Sequence, residues 1–115
     1  MSATGSSLTP AAVNILVALQ AGPLHGYAIM SDVAALTDGD VRLAPGTLYT
    51  NIKRLLSAGL IEETDPWGEV TTDGPPRRYY RLTTAGDAEL AVEIERMDRL
   101  VRHARVARSK TAGTG

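Results

Sequence analysis

Cysteine is absent from this sequence. Disulfides, thiolate nucleophiles and thiolate metal sites are therefore excluded, which suits a reducing compartment. Long apolar runs are missing too: no stretch approaches the ~20 residues that cross a bilayer, and Met1 to Leu8 has neither the basic start nor the apolar middle of a secretion signal. The expected location is the cytoplasm. Charge of one sign is also lacking, since 12 Lys and Arg meet 13 Asp and Glu for a net charge of −1. That balance lends no support to nucleic-acid binding, which usually shows as a basic excess. Catalytic signatures are missing as well: there is no GxSxG elbow, phosphate-binding glycine loop or HExxH, and no acid pair placed by spacing in a recognisable cleft. Of the 2 histidines, His25 sits at a helix start and His103 far along the chain, so neither reads as a ligand or general base. Asp38-Gly39-Asp40 is a turn without the further ligands of a calcium loop. Neither an enzyme, a cofactor nor a metal site is expected.

What is present is the apolar content of one small domain. With 115 residues, 43% of them hydrophobic, the chain builds a modest core and gains from a partner. Thr9-Pro10 pairs a helix cap with a proline at the first helical position. The helix runs to about Ala21, with Val13, Leu16, Val17 and Leu19 on its apolar side, and Gly22-Pro23 stops it. A second helix opens at His25-Gly26-Tyr27 and lasts to about Thr37, burying Ile29, Val33 and Leu36.

The segment from Arg42 to Ile61, RLAPGTLYTNIKRLLSAGLI, organises the rest. Read at helical period from Pro45, Leu48, Ile52, Leu55 and Leu56 form a core-facing stripe. Thr47, Thr50, Asn51 and Arg54 form the opposite, polar one. Asn bonds adenine and Arg bonds guanine with two hydrogen bonds each, and Thr offers a hydroxyl and a methyl, so this stripe is a candidate base-reading set. Tyr49 and Lys53 flank it within reach of phosphates. The plain alternative is an amphipathic helix whose polar face meets only water. Ala44, at the cap position, cannot accept a backbone hydrogen bond and costs about 1 kcal/mol relative to Ser.

Ser57-Ala58-Gly59 ends that helix with a glycine suited to a left-handed cap. Leu60-Ile61-Glu62-Glu63 then starts a strand, and Arg77-Arg78-Tyr79-Tyr80-Arg81-Leu82 returns after a loop rich in Gly, Pro and Asp. Trp67 in that loop is expected to cover the core from the strand end. The loop's Asp65, Glu69 and Asp73 would repel phosphate, so Arg77 and Arg78 are the expected backbone contacts. Between Val41 and Ile61, and again between Gly74 and Leu82, every ionised side chain is basic. A neutral chain can thus still carry a local positive footprint.

Thr83-Thr84 caps a last helix with acids in its first turn and Arg102, Arg105 and Arg108 towards its end, both suited to the helix dipole. Leu90, Ile94, Met97, Val101 and Ala104 follow the 4, 3, 4, 3 spacing of a coiled-coil seam, widened by Leu100. Dimerisation is the expected use, with packing back onto the first helix as the alternative. Leu16, Ile94, Met97 and Val101 are candidate walls of a ligand cavity where two subunits meet. The expected organisation is a loose arm at 1–8, a winged-helix domain at 9–83 with its hairpin at about 60–82, a dimerisation helix at 84–109 and a disordered tail at 110–115. The fold class is α+β, mainly α.

HGYAIMSDV, LAPGTLYTNIKRLLSAGLIEE and PPRRYYRLTTAG resemble the three signature blocks of the PadR family of bacterial transcriptional regulators, in register over about residues 9 to 90. The short C-terminal helix is similar to that of the compact subfamily. The resemblance implies a homodimeric winged-helix protein, usually a repressor, that binds a pseudo-palindromic operator and is often released by a small molecule. It places Pro45 to Ala58 in the groove, and maps the family's tyrosine onto Tyr49 and its basic wing onto Arg77 and Arg78. Two departures stand out. Ala44 replaces the usual Ser before Pro-Gly, and Thr84 to Ser109 holds no aromatic residue, unlike multidrug-binding relatives that sandwich flat ligands there. The expected function is sequence-specific DNA binding in transcription regulation, with DNA and a second copy of the chain as partners and a small-molecule effector as a third. The rival expectation is a ligand- or protein-binding adaptor that keeps the fold without binding DNA.

Overall fold

The computed structural model describes residues 8–65 and 78–114 of the chain. The elements run α1 (Pro10–Leu19), β1 (Leu24–His25), α2 (Gly26–Leu36), α3 (Pro45–Ser57), β2 (Ile61–Thr64), β3 (Tyr79–Leu82) and α4 (Thr84–Thr114). Thr9 caps α1, its Oγ1 accepting from the Ala12 amide at 3.1 Å, and satisfies one of the amide donors that a helix start leaves unpaired. His25 does the same for α2 through Nδ1, which accepts from the Ala28 amide at 3.2 Å. That is the helix-start role its position suggests.

α3 ends as its glycine requires. Gly59 adopts φ +76°, the Leu60 amide donates back to the Leu55 carbonyl at 3.0 Å, and the Gly59 amide donates to that of Leu56 at 3.1 Å. This paired closure turns the chain sharply into β2. β2 and β3 pair antiparallel, Ile61 opposite Leu82 and Thr64 opposite Tyr79. β1 adds to the far side of β3, giving the order β1-β3-β2. Sequence patterning does not reveal β1, because two residues are too few to show alternation.

The core lies between the three short helices, the sheet and the first turns of α4. Ile15, Leu16, Ile29, Val33, Leu48 and Leu90 are fully buried, joined by Ile52, Leu55, Ile61 and Tyr80. Each such side chain contributes about 1.5–3 kcal/mol, so the packing of α3's apolar face, more than its uncapped start, holds it in place. Leu8 also packs against this core; the remainder of the expected N-terminal arm lies outside the described residues. Leu36 is exposed rather than buried: it occupies the last turn of α2, beyond the reach of the core.

α4 is bolted to the end of α3. The Thr83 hydroxyl donates to the Gly59 carbonyl at 2.6 Å and accepts from the Gly86 amide at 3.0 Å, while the Thr83 amide donates to the Leu60 carbonyl at 3.1 Å. Gly86 lies so close that an added Cβ would sit 2.8 Å from the carbonyl carbon of Leu60. Beyond Leu90 and Glu93, which are buried, every described side chain of α4 is exposed. The helix also runs to Thr114 rather than yielding to a tail after Ser109. No glycine or proline interrupts 110–112, and the Thr111 hydroxyl donates to the Ala107 carbonyl at 3.1 Å.

Candidate nucleic-acid interface

α3 has the two sides that a groove-entering helix needs. Leu48, Ile52 and Leu55 face the core, whereas Thr47, Tyr49, Thr50, Lys53 and Arg54 are exposed. The helix carries no acidic residue. Among the described residues, Lys53 and Arg54 form no ion pair, which leaves both charges available to a polyanion. Tyr49 lies over Gly26. A Cβ at that glycine would come 3.0 Å from Tyr49 Cζ and overlap its hydroxyl, so the glycine at the start of α2 seats the tyrosine ring.

Asn51 departs from the expectation. It is only 8% exposed; its Nδ2 donates to the Thr47 carbonyl at 2.9 Å, and its Oδ1 accepts from Thr9 Oγ1 at 3.3 Å. The amide orientation follows from chemistry, since only the nitrogen can donate to a carbonyl. The cause is helix geometry. Asn51 is three residues after Leu48 and four before Leu55, so at about 100° per residue it falls on the core side. The spacing that links it to Thr47 links it equally to the apolar stripe, and packing decides between them. Asn51 thus ties α3 to the cap of α1 instead of facing outward.

The wing is less basic than its own residues suggest. Arg81 Nε lies 2.6 Å from Glu62 Oε2, and Arg78 Nη1 lies 4.0 Å from Glu63 Oε2. Acid-free segments along the chain meet acids across the sheet, which a count along the sequence does not register. Both pairs are exposed, where such bridges are worth about 0–1 kcal/mol, so a phosphate can displace a carboxylate. Arg77, Trp67 and the hairpin tip lie outside the described residues. At the base of the wing, burial pushes the Tyr80 hydroxyl above its ordinary pKa, with Glu63 acting the same way and Arg78 opposing. The His25 ring meets Tyr79 edge-on at 5.3 Å.

Leu90, expected in a dimer seam, and Leu16, expected to wall a ligand cavity, both belong to the protomer's own core. Leu90 and Leu16 are both 0% exposed, because the first turns of α4 pack back on α1. Ile94, Met97, Val101 and Ala104 remain exposed. An open groove of about 770 Å³ runs beside Leu19, Gln20, Arg81, Leu82, Thr83 and Asp87, but includes none of Leu16, Ile94, Met97 or Val101.

Three short helices, a three-stranded antiparallel sheet and a basic, acid-free third helix define a winged helix-turn-helix protein. Residues 15–92 match the transcriptional regulator PadR-like family. The chain belongs to that family, whose members are transcriptional regulators rather than enzymes. It is 38% identical over 74 residues to the transcriptional regulator Rv3488 of Mycobacterium tuberculosis, covering 64% of this chain and 65% of the relative. The chain therefore spans somewhat less than two thirds of that protein. Among solved structures, a transcriptional regulator from Clostridium thermocellum superimposes with a TM-score of 0.69 at 24% identity, covering 83% of this chain and 86% of that one. Bacillus subtilis PadR, solved in complex with operator DNA, superimposes with a TM-score of 0.62 at 24% identity, over 72% of this chain and 45% of that one. These two likenesses bear on the fold. Among the described residues no helix is long and apolar enough to cross a membrane.

Proposed function

We propose that the protein is a cytoplasmic, homodimeric winged-helix regulator whose α3 enters the major groove of an operator built as an inverted repeat. The observation that carries this reading is the outer face of α3: five exposed polar or basic side chains, Thr47, Tyr49, Thr50, Lys53 and Arg54, on a helix without acids. Arg54, with Thr47 and Thr50 beside it, reads base edges; Lys53, Tyr49 and the wing's Arg77 and Arg78 hold phosphates. The operator complex of the Bacillus relative supports the mode. Two copies of α3 related by a two-fold would address half-sites about 34 Å apart. Operator binding represses the adjacent promoter, and a small molecule held where the two subunits meet releases it, as in the family it resembles.

Sequencing DNA fragments selected by the purified protein tests binding, symmetry and specificity together. An enriched inverted repeat with half-sites one helical turn apart is the expected result. Recovery of unenriched DNA would overturn the reading. The rival, a winged-helix adaptor that does not bind DNA, draws on the pairing of Arg78 and Arg81 with Glu63 and Glu62. A gel shift on the DNA upstream of the protein's own coding region, at about 0.1 M salt, separates the two.

A further inference from the structure

The glycines that shape this fold have a structural reason to be there. Gly22, Gly39 and Gly59 take positive φ, and Gly26 and Gly86 lie where a Cβ would overlap the Tyr49 hydroxyl and the Leu60 carbonyl. Gly46 has neither reason. It stands in the first turn of α3, its φ is not positive, it is exposed, and a Cβ built on it meets nothing within 4 Å. Glycine is less favourable than alanine in a helix, because it gives up more backbone freedom on folding. For the protomer alone, alanine would serve better at this position.

Helix geometry shows where the gap points. At about 100° per residue, Gly46, Thr50 and Lys53 fall on one line, spaced 4 and 3, with Leu48 and Leu55 roughly opposite. Gly46 therefore faces straight out of the domain, in the middle of the exposed side of α3. The bareness extends through the first turn: Ala44, Pro45, Gly46 and Thr47 present nothing longer than a threonine, whereas the following turns carry Tyr49, Lys53 and Arg54. Along the outer line, reach grows from no side chain at Gly46, through the hydroxyl of Thr50, to the ammonium of Lys53, over roughly 10 Å of helix. A stiff surface laid against such a face is inclined to the helix axis and comes nearest at the first turn.

Resting on the DNA-binding reading, we infer that Gly46 is itself a contact residue for operator DNA, and that its contribution is the missing side chain: the floor of the major groove packs directly onto the helix backbone there. Charge allows this approach, since α3 has no acid to repel a polyanion. Sterics require it. A methyl group at residue 46 would project by roughly 1.5 Å, one C–C bond, and hold the whole first turn away from the duplex. A displacement of that size takes a hydrogen bond of about 2.9 Å beyond its useful range, so Thr47 and Thr50 would lose the base edges they address. A protein partner would absorb one methyl by turning a side chain aside. Stacked base pairs offer no such freedom, which is why the gap points to a duplex.

Gly46→Ala and Gly46→Leu, made in the whole chain, are compared with the wild type in two measurements: thermal melting without DNA, and titration of the duplex recovered by selection. The melting temperature of Gly46→Ala is expected to rise by roughly 2–4 °C. Operator affinity is expected to fall at least tenfold in Gly46→Ala and at least a hundredfold in Gly46→Leu, in the order of side-chain size. Stability and affinity then move in opposite directions, which a purely structural glycine cannot produce. Binding of both variants within twofold of the wild type would overturn the proposal while leaving DNA binding intact. A lowered melting temperature in Gly46→Ala would also overturn it, returning the glycine to the fold. A wild-type chain that selects no duplex removes the DNA-binding reading, and this proposal with it.

Discussion

Arg54 and Asn51 show how much a single residue's neighbours decide. Arg54 is exposed and unpaired among the described residues, so Arg54→Ala is expected to relax preference at one base position by about 1–3 kcal/mol, read from binding to a panel of operator variants. Equal weakening on every sequence would make it a phosphate contact. Lys53→Ala is expected to do the latter, lowering the slope of log affinity against log salt by about 1. Asn51, three residues from Arg54, belongs to another category. Asn51→Ala leaves the Thr9 hydroxyl without its acceptor and opens a small void, which costs about 1–3 kcal/mol and lowers the melting temperature with no DNA present. If melting is unchanged while an adenine preference disappears, the side chain turns outward on the operator. The sequence places Asn51 equally well on either face, since helical period alone assigns it to both stripes; the Thr9 hydroxyl, 42 positions away, settles the matter and no local pattern contains it.

Among the elements, α3 is the most legible and also the least secured at its start. Its apolar stripe, glycine stop and proline entry all match the observed Pro45–Ser57. Ala44 stands at the cap in an extended conformation with no side-chain hydrogen bond, so Ala44→Ser adds an acceptor for an unpaired amide. It is expected to stabilise by about 1 kcal/mol and raise the melting temperature by roughly 4 °C; a thermal melt with no gain or a loss would show that serine cannot turn its oxygen inward there. The wing reads differently. Strand positions follow from β-branched and aromatic runs, but the neutralising Glu62 and Glu63 emerge only once the ladder sets Glu62 opposite Arg81 and Glu63 opposite Tyr80. Cross-strand charge is a property of register, and register depends on a turn that composition marks without measuring. The same limit hid β1, held by its pairing with Tyr79 and Tyr80 rather than by any propensity of Leu24 and His25.

At the scale of the molecule, the winged-helix domain and the protruding helix meet at one crowded joint. Gly86 allows the backbone of α4 to rest on the Leu60 carbonyl. Gly86→Ala is therefore expected to destabilise the fold by about 1–3 kcal/mol even though alanine favours helices. Circular dichroism during urea unfolding checks this, and a gain in stability would mean the contact relaxes freely. The apolar periodicity of α4 is readable as a spacing but not as a boundary. Leu90 continues the periodicity of Ile94 and Met97, yet belongs to the protomer core, because α1 covers only the first turns of the helix.

Thr83 gives that joint its mechanical meaning. One hydroxyl grips the carbonyl that closes α3 and the amide that opens α4, so no slack separates them. In the homodimer we propose, a long rod fixed at such a fulcrum would behave as a lever: a small rotation where the two subunits meet would swing each reading head through a larger arc, and half-site spacing would become a quantity that torque at the far end can retune.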